Sequence, residues 1–504
     1  MTRPVKRYLD LVSGAAKRAP SSTAVVFEDR QITFAELDDR VGRLGGALRS
    51  AGLVPGDRVA LLAANELEYM EIQGACLRSG FTLVPLNTRL ADPELAYIVG
   101  DAAPKVFIGG RGFDQRVARI AGDAGVKQVL GLGAPTAVDP YDQVLAAGEA
   151  DPEADPLDPK LNTTFLYTSG TTGRPKGAMI DREGFTARVF VNALELEITS
   201  RDVWLQSLPM FHIAAFLGFA FVFRGSKTVM LPAFTPPEAL RLMAEHRVSV
   251  LVLVPTMIGM VLDDPAVESF DASDLRLLIY GGAPIDSPLL RRAMERLDCG
   301  FHQQYGMTET GAQCILHPED HDPDDAQALT SGGSAAVSFD VRVVDEEDRP
   351  LPTGEVGEIV CRGPAVMSGY WNLPEVTAET LRGGWHHTGD LGYFDERNLV
   401  HVVDRRNDMI ISGGENVYPR EVEAVLAEHP AVPDVAVIGL PDERWGQLVV
   451  AVVAEGAPPD AELEAFLRER IAGYKVPRRW IRLPELPRNV TGKVLKAQLR
   501  ADLS

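Results

Sequence analysis

Short apolar runs alternate with helical patterns over the first part of the chain. Residues 59–62 and 83–86 are apolar runs typical of buried strands, and a helical pattern over about residues 67–79 separates them. Thr33 and Glu36 form a capping-box pattern, which predicts a helix that continues to about Ala51. Strand, helix and strand at this spacing predict parallel pairing with right-handed crossovers. The pattern therefore predicts an α/β fold built on parallel sheets.

Two later strands are predicted to end at loops with unusual composition. A strand at 163–167 leads into a stretch rich in glycine and hydroxyl side chains, and a strand at 275–280 stops at Gly281. The largely β-branched run 248–254 suits a central strand that is buried on both faces. Ligands of open α/β sheets bind at the carboxyl ends of the strands. We therefore expect these loops to meet at one crevice.

The pattern changes towards the carboxyl end. Short strands with frequent turns from about residue 339 to 403 predict an antiparallel sheet or small barrel. The polar, unperiodic segment 405–408 is expected to be a hinge. A small α+β domain follows, with elements predicted at 421–429, 435–438, 448–453 and 460–471. We therefore predict a large N-terminal domain over residues 1–406 and a small C-terminal domain over residues 407–504.

Composition narrows the classes of function. A chain of 504 residues is too long for one compact core. Its net charge of −21 argues against nucleic acids and anionic membranes as partners, since both attract basic surfaces. The first residues contain no apolar run long enough for a signal peptide or membrane span. We expect a cytoplasmic protein without integral membrane contact, whose scattered cysteines stay reduced: Cys76, Cys299, Cys314 and Cys361.

Residues 167–177 read Tyr-Thr-Ser-Gly-Thr-Thr-Gly-Arg-Pro-Lys-Gly and contain no acidic residue. Glycines let the backbone approach a ligand, successive backbone N–H groups form an anion-binding concavity, and Lys176 adds a positive charge. Pro175 occupies the place where a Walker A loop needs its second glycine. The stretch is therefore typical of a polyphosphate loop of another class. Taken alone, a glycine-rich surface loop remains the alternative.

Four further segments carry side chains suited to chemistry, each with a structural alternative. His212 follows Pro-Met-Phe and is either functional or a core histidine. Glu309 lies on a turn that, taken alone, is a structural turn carrying Tyr305, but beside a phosphate loop its carboxylate suits Mg²⁺. Asp390 is either an acceptor for ribose hydroxyls or the centre of an Asx-turn. Lys493 follows a glycine near the end of the chain and is either catalytic or a solvated surface group.

Together and in this order, these segments resemble the class I adenylate-forming superfamily of acyl-CoA synthetases, carrier-protein adenylation domains and beetle luciferases. The resemblance covers essentially the whole chain and rests on 167–177, 209–212, 281–284, 305–309, 388–390, Arg405 with 412–415, and 492–493. It implies an ATP-dependent ligase that activates a carboxylic acid as acyl-AMP, releases pyrophosphate, and then transfers the acyl group to coenzyme A.

The resemblance also implies roles for residues around ATP. The β- and γ-phosphates would be held by Thr168, Ser169, Gly170, Thr171, Thr172 and Lys176. The adenine would lie against Gly281, Gly282 and Ala283, with Tyr305 stacked on it. Asp390 and Arg405 would contact the ribose. Thr308 would contact the α-phosphate, and Mg²⁺ would be bound by Glu309 and Thr168.

The same resemblance implies that residues 1–406 form an ATP- and acyl-binding domain and that residues 407–504 form a mobile catalytic lid domain. Lys493 would bridge the substrate carboxylate and the α-phosphate, and the catalytic group would also include Thr308, Glu309 and His212. The small domain would then swing about a hinge at Asn407, where the family usually has Asp or Lys. This motion would open a tunnel for the coenzyme A thiol beside Ser412, Gly413 and Gly414.

Differences from the family narrow the substrate. His212 stands where amino-acid-activating domains carry an aspartate, and Gln304 where malonate-type ligases carry an arginine. The remaining wall is uncharged and mostly small or apolar: His212, Ile213, Ala214, Ala215, Met257, Gly282, Gly306, Met307, Gly311 and Ala312. Such a wall suits a medium- to long-chain fatty acid, with an aryl or alicyclic acid as the alternative.

The acceptor of the acyl group has alternatives too. No carrier domain follows Ser504, so we expect coenzyme A rather than a carrier protein. An acyl-AMP ligase that loads a carrier protein is one alternative, and a non-catalytic nucleotide-binding regulator is another. A regulator has no need of Lys493, which argues against it.

Overall fold

The computed structural model describes residues 10–150, 158–168, 175–212, 214–405, 408–412, 415–442, 445–471, 473–488 and 493–503. The helices in these ranges are α1 (Leu11–Arg18), α2 (Phe34–Ser50), α3 (Leu67–Ser79), α4 (Asp92–Ala102), α5 (Asp114–Ala124), α6 (Tyr141–Ala147), α7 (Arg182–Glu195), α8 (Ala214–Arg224), α9 (Pro236–His246), α10 (Pro255–Asp263), α11 (Ser287–Leu297), α12 (Ala326–Leu329), α13 (Pro374–Thr380), α14 (Pro419–Ala427), α15 (Asp460–Arg468) and α16 (Lys496–Leu503).

The strands of the larger part of the chain are β1 (Thr23–Phe27), β2 (Arg30–Thr33), β3 (Arg58–Leu62), β4 (Thr82–Pro85), β5 (Val106–Gly109), β6 (Gln128–Gly131), β7 (Asp139–Pro140), β8 (Asn162–Thr168), β9 (Lys176–Asp181), β10 (Val203–Gln206), β11 (Lys227–Met230), β12 (Val250–Leu253), β13 (Leu277–Gly281), β14 (Gly300–Met307), β15 (Gly311–Leu316), β16 (Ser334–Ala335), β17 (Asp340–Val344), β18 (Gly357–Arg362), β19 (Gly369–Tyr370), β20 (His386–Phe394) and β21 (Val400–Arg405). Those that follow are β22 (Ile410–Ser412), β23 (Glu415–Val417), β24 (Val435–Asp442), β25 (Gly446–Ala454) and β26 (Arg479–Leu483).

Two large sheets form the body of the protein. One runs in the order β16-β15-β14-β13-β12-β10-β11-β1-β2, and its strands from β14 to β1 are parallel. The other runs β19-β9-β8-β4-β3-β5-β6-β7 and is parallel from β8 to β7. One apolar core joins the two sheets, since it contains Leu61 of β3, Trp204 of β10 and Phe219 of α8. The predicted α/β class with parallel sheets is confirmed.

Local sequence signals explain where several elements begin and end. The predicted capping box is present: Thr33 Oγ1 accepts from the Glu36 N–H at 3.2 Å, and Glu36 Oε2 accepts from the Thr33 N–H at 2.7 Å. The strand expected over 248–254 is shorter, because Val254 is the N-cap of α10 and Pro255 is its first residue. Proline is common at the first position of a helix, because a backbone N–H at that position would have no partner within the helix.

The remaining strands form two smaller sheets. The predicted antiparallel sheet is observed in the order β17-β18-β20-β21. Beyond it, β23-β22-β25-β24 with β26 beside β25 packs against α14 and α15 around its own apolar core. This is the small α+β unit expected at the carboxyl end. The predicted hinge, Asn407, lies outside the described residues. None of the helices in the described ranges is long and apolar enough to cross a membrane.

Candidate active site

A cavity of about 1700 Å³ opens where strands of both large sheets end. Thr168 ends β8, Gly281 ends β13, and Met307 ends β14, and all three line the cavity. A Cβ on Gly281 would lie 2.3 Å from the carbonyl oxygen of Gln304 on the neighbouring strand. Only glycine therefore lets β13 and β14 stay in register at the cavity edge. The crevice expected from the sequence is present.

The two ends of the predicted phosphate loop are neighbours on this edge. Thr168 and Lys176 are paired in register across the antiparallel hairpin of β8 and β9, and both line the cavity. The Lys176 Nζ lies 4.7 Å from the centre of the Tyr370 ring, an attractive contact between a cation and an aromatic face. The rest of the predicted loop lies outside the described residues: Ser169, Gly170, Thr171 and Thr172.

Glu309 connects the two sheets at the cavity. Its Oε1 accepts a hydrogen bond from the Tyr370 hydroxyl at 2.9 Å, and Thr168 Oγ1 lies 3.4 Å from the same oxygen. The sequence-predicted pair Glu309 and Thr168 is thus brought together. A carboxylate beside a hydroxyl suits Mg²⁺, which takes one or two carboxylates and completes its shell with phosphate oxygens and water. Within the described ranges, no group of three or more His, Cys, Asp or Glu side chains is arranged to hold a metal.

Arg188 of α7 holds the backbone that carries Thr308 and Glu309. Its guanidinium donates to the carbonyl oxygens of Ala365 at 2.9 Å, Thr308 at 3.0 Å and Glu309 at 3.1 Å. Burial lowers the pKa of Arg188 to about 10, and the nearby Glu309 charge opposes that shift. Arg188 therefore stays charged at neutral pH, and its donors fix the turn on which the predicted metal ligand lies.

Tyr305 and Asp390 form a second connection, between the large sheet and the small antiparallel sheet. The Tyr305 hydroxyl donates to Asp390 Oδ2 at 2.8 Å, and the Asp390 N–H donates to Thr388 Oγ1 at 3.0 Å. Burial, reinforced by the Asp390 charge, raises the pKa of Tyr305 well above its ordinary value. The tyrosine therefore remains a neutral donor. The two residues expected at the nucleoside lie in direct contact.

The structure also places other residues that the sequence predicts at the nucleoside. Gly281 and Gly282 line the cavity, Gly282 has a φ of +77°, and Ala283 follows in the same turn. Arg405 is paired in register with Asp390 across β20 and β21. The backbone thus places Arg405 beside the predicted ribose acceptor.

The side of the cavity that the sequence predicts to hold the acyl group is largely apolar. Met257, Gly306 and Met307 line it as expected, together with Gly311 and Ala312. Ile213 lies outside the described residues, and Ala214 begins α8. Apolar side chains that the sequence did not single out extend this wall: Phe211, Phe216, Leu217, Val252, Ile279 and Met260. An apolar wall of this kind is suited to an uncharged acyl group.

Two histidines lie at the cavity without charge. Burial lowers the pKa of His212 to about 4, and the charge of Arg89 adds to the shift. Burial also lowers the pKa of His386 to about 4, although the Glu309 charge opposes the shift. Both histidines line the cavity, and at neutral pH both are uncharged imidazoles. His212 can therefore position a substrate by shape and hydrogen bonding, but it cannot supply positive charge.

The small domain contributes to the cavity as well. Lys493 is exposed and lines the cavity together with Arg488. The predicted catalytic lysine thus lies at the same site as Thr168 and Glu309, although more than three hundred residues separate it from the phosphate loop. Ser412 is buried on β22, where it pairs in register with Glu415. Gly413 and Gly414 lie outside the described residues.

Three residues that line the cavity were not predicted from the sequence. Arg188 has a recognisable signal, because a charged residue lies on the buried face of α7 between Phe185 and Val189. Tyr370 has none, since it reaches Glu309 from 61 positions away in the sequence. Asn192, which also lines the cavity, reads as an ordinary helix residue.

Comparison with known proteins gives matches over nearly the whole chain. The family model described as AMP-binding enzyme matches residues 12–371, and the model of the AMP-binding enzyme C-terminal domain matches residues 421–493. A feruloyl-CoA synthase from Amycolatopsis sp is 40% identical over 491 residues, covering 96% of each chain. The fatty acid–[acyl-carrier-protein] ligase ScoC from Streptomyces coeruleorubidus is 38% identical over 494 residues, covering 96% of this chain and 94% of the relative.

A solved structure is similar over the same extent. The o-succinylbenzoate CoA synthetase MenE from Bacillus subtilis, in complex with its acyl-adenylate intermediate, superposes with a TM-score of 0.86. It is 31% identical in sequence, and the match covers 98% of each chain. The likeness therefore includes both the large body and the small carboxyl-terminal domain.

Proposed function

The chain belongs to the AMP-binding enzyme family of the adenylate-forming superfamily, and from that premise we propose that it is an aryl acid–CoA ligase that forms AMP. The observation that carries this proposal is that Thr168, Glu309 and Lys493 line one cavity together with an apolar wall. One side suits a polyphosphate and its metal, and the other suits an uncharged acyl group.

The proposed chemistry has two balanced steps. In the first, a carboxylate oxygen of the acid attacks the α-phosphorus of ATP, the bond to the β-phosphate breaks, and pyrophosphate leaves. In the second, the sulfur of coenzyme A attacks the acyl carbon, the thiol proton is lost, and AMP leaves. Two anions meet in the first step, so cationic groups and oriented donors must stabilise the charge in its transition state.

We assign roles from the family membership of the chain together with the positions of these residues, which lie at the cavity or are linked to its edge. Lys493 would neutralise the approaching carboxylate and α-phosphate, Lys176 would hold the leaving pyrophosphate, and Thr308 would donate to the α-phosphate. Glu309 and Thr168 would hold Mg²⁺, which when bound neutralises phosphate charge. Neutral His212 would orient the acid. Tyr305, Asp390 and Arg405 would bind the nucleoside, with Gly281, Gly282 and Ala283 at the adenine.

The aryl substrate is favoured over the fatty acid expected from the sequence. The feruloyl-CoA synthase and the o-succinylbenzoate CoA synthetase are named for aromatic acids. Aromatic side chains on the wall, Phe211 and Phe216, also suit an aromatic ring. The fatty-acid hypothesis is not confirmed, although the relative ScoC is named as a ligase of fatty acids. Initial rates of pyrophosphate release across matched aryl and fatty acids decide between them.

We also propose the division into residues 1–406 and 407–504, with Asn407 as the hinge and residues 412–414 at the coenzyme A tunnel. The two family-model matches lie on either side of position 407, which supports this boundary. The four cysteines are free, which fits the reducing cytoplasm expected from the sequence.

Lys493→Ala tests the central assignment. We expect pyrophosphate release from acid and ATP to fall by about 100-fold or more, because a cation needed only in that transition state is lost. Thioester formation from supplied acyl-AMP and coenzyme A should persist. Lys496→Ala is the control, since Lys496 pairs with Glu423 at 2.8 Å. Equal loss of both half-reactions in Lys493→Ala would refute the role of this lysine.

The second candidate is a ligase that transfers the acyl group to a carrier protein. The specific observation in its favour is the similarity to ScoC, a ligase named for an acyl carrier protein. Both candidates share the adenylation step and differ in the thiol that follows. Incubation of the enzyme with acid, ATP and either coenzyme A or a phosphopantetheinylated carrier, followed by mass spectrometry, separates them. Acyl-AMP that accumulates with coenzyme A and discharges only onto the carrier would favour the second candidate.

A further inference from the structure

Two amide side chains interrupt the apolar wall of the cavity. Gln304 on β14 donates from Nε2 to Asn192 Oδ1 on α7 at 3.1 Å, and both residues line the cavity. Both are half-buried. Apolar side chains line the same cavity, including Phe216 from α8 and Ile279 from the neighbouring strand. A polar pair in such surroundings is costly unless it is hydrogen-bonded, so each of its donors and acceptors matters.

The hydrogen bonds fix which way each amide faces. Asn192 Nδ2 donates to the backbone carbonyl of Arg188 at 2.8 Å, and a carbonyl can only accept. Asn192 Oδ1 must therefore face Gln304, and Gln304 must offer its Nε2 to that oxygen. This leaves Gln304 Oε1 pointing away from the pair as an acceptor. Among the described residues, none donates a hydrogen bond to it.

The position of Gln304 suits the far end of a ring rather than a carboxylate. Gln304 lies three residues before Met307, the end of β14, which at about 3.3 Å per residue is about 10 Å along the strand. The groups assigned to the reacting carboxylate and phosphate lie beyond that end, on Thr308 and Glu309. We therefore expect the ring of an aromatic acid to lie between these groups and Gln304.

We propose that Gln304 is a specificity residue that accepts a hydrogen bond from a phenolic hydroxyl on the ring of the acid, with Asn192 as its positioning residue. This inference rests on the proposed aryl acid function and deepens it. A neutral amide gives no counter-charge to a second carboxylate, and the nearby Arg188 guanidinium is engaged with three backbone carbonyls. The oriented acceptor therefore selects a neutral donor.

The Gln304 acceptor is expected to distinguish an acid with a ring hydroxyl from the corresponding methyl ether. An acid with a para-hydroxyl group donates to Gln304 Oε1, whereas a para-methoxy acid displaces water from the acceptor and offers no proton in return. A site built to hydrogen-bond a substrate hydroxyl rejects analogues that lack the donor. We expect kcat/KM for the hydroxy acid to exceed that for the methoxy acid by about 10- to 100-fold.

The test measures pyrophosphate release for such a matched pair of acids, with the same ring and side chain. In Gln304→Leu the preference should fall to about twofold or less, through a lower kcat/KM for the hydroxy acid and an unchanged or higher one for the methoxy acid. Asn192→Leu should shrink the preference as well, because Gln304 loses the partner that orients it. Gln303→Leu is the matched control, an amide one position away that does not line the cavity, and it should keep the wild-type ratio.

Each outcome either supports or overturns the inference. Equal wild-type rates for the two acids, or a preference that survives in Gln304→Leu, overturn the inference while leaving the aryl acid function intact. Release of pyrophosphate with fatty acids and with no aryl acid overturns both. The wild-type ratio needs no variant, so a poorly folded Gln304→Leu still leaves a decisive measurement.

Discussion

Replacing Arg188 with methionine removes the group that holds the turn of Thr308 and Glu309 in place. Its guanidinium donates hydrogen bonds of 2.9, 3.0 and 3.1 Å to three backbone carbonyls, and Arg188 is 2% exposed. Methionine fills similar space but leaves these acceptors unpaired, at about 1 to 3 kcal/mol each. Allowing for partial relaxation, we expect a loss of about 4 kcal/mol of stability, within the range for breaking a buried charged contact.

The effect on chemistry should exceed what lost stability explains. Displacing a catalytic group by about 1 Å costs roughly 100-fold in rate. Once Arg188 is gone, Glu309 and Thr308 lose their backbone anchor, and pyrophosphate release should fall by at least that factor at saturating ATP and Mg²⁺. Arg188→Lys keeps the charge but lacks the planar fork of donors, so it should recover activity only slightly.

A control separates positioning from general instability. Arg276 donates to Asp202, which is 4% exposed, at 2.6 and 3.0 Å, and to the Leu196 carbonyl at 3.1 Å, and it does not line the cavity. Arg276→Met should lower the thermal midpoint comparably and retain near-normal pyrophosphate release. If Arg188→Met is destabilised to the same degree yet keeps the wild-type rate, the reasoning is wrong and Arg188 is only structural.

Two further predictions concern single side chains. Tyr370→Phe removes the hydroxyl that donates to Glu309 at 2.9 Å, so initial rates of pyrophosphate release at limiting Mg²⁺ should fall about 10-fold and recover as Mg²⁺ is raised; an unchanged Mg²⁺ dependence would contradict this. Burial lowers the pKa of His302 to about 3, so the unfolded chain binds a proton between pH 6.5 and about 3 that the folded chain excludes. Stability is therefore lost as the pH falls through this window, by up to about 1.4 kcal/mol per pH unit. His302→Leu should flatten the decline of the thermal midpoint between pH 6.5 and 4.5 in calorimetry, and parallel curves for the two proteins would count against it.

Local signals predicted elements well because they depend on neighbours in the chain. The helix expected over residues 67–79 is α3 (Leu67–Ser79), and the capping box of α2 forms as its spacing indicates. The strand around Val250 was predicted too long. Its run of apolar, largely β-branched residues carried no information about the helix that begins at Pro255. Element boundaries of this kind depend on which of two competing local signals prevails.

Site residues divide along the same line. The common placement of Thr168, Glu309 and Lys493 at one cavity was predictable because each lies in a motif that can be read locally. The contact of Tyr370 with Glu309 spans 61 positions, and that of Gln304 with Asn192 spans 112. In sequence, Gln304 indicated only the absence of a cation. The orientation of Gln304 as an acceptor depends on Asn192, whose own amide is oriented by the Arg188 carbonyl of the same helix. Only folding brings that helix near Gln304.

The two sides of the site are anchored differently, and this bears on how one cavity would serve the two proposed half-reactions. Arg188 is buried and bound to three carbonyls, so the turn that carries Glu309 is fixed in the large body. Lys493 is exposed and comes from the small domain. A residue that must be withdrawn before the thiol attacks is better placed on an exposed segment than in a packed core, because moving it breaks few buried contacts. The proposed change from the first half-reaction to the second therefore requires only the small domain with Lys493 to move. The part of the site proposed to bind the metal and the nucleotide stays in place in the large body.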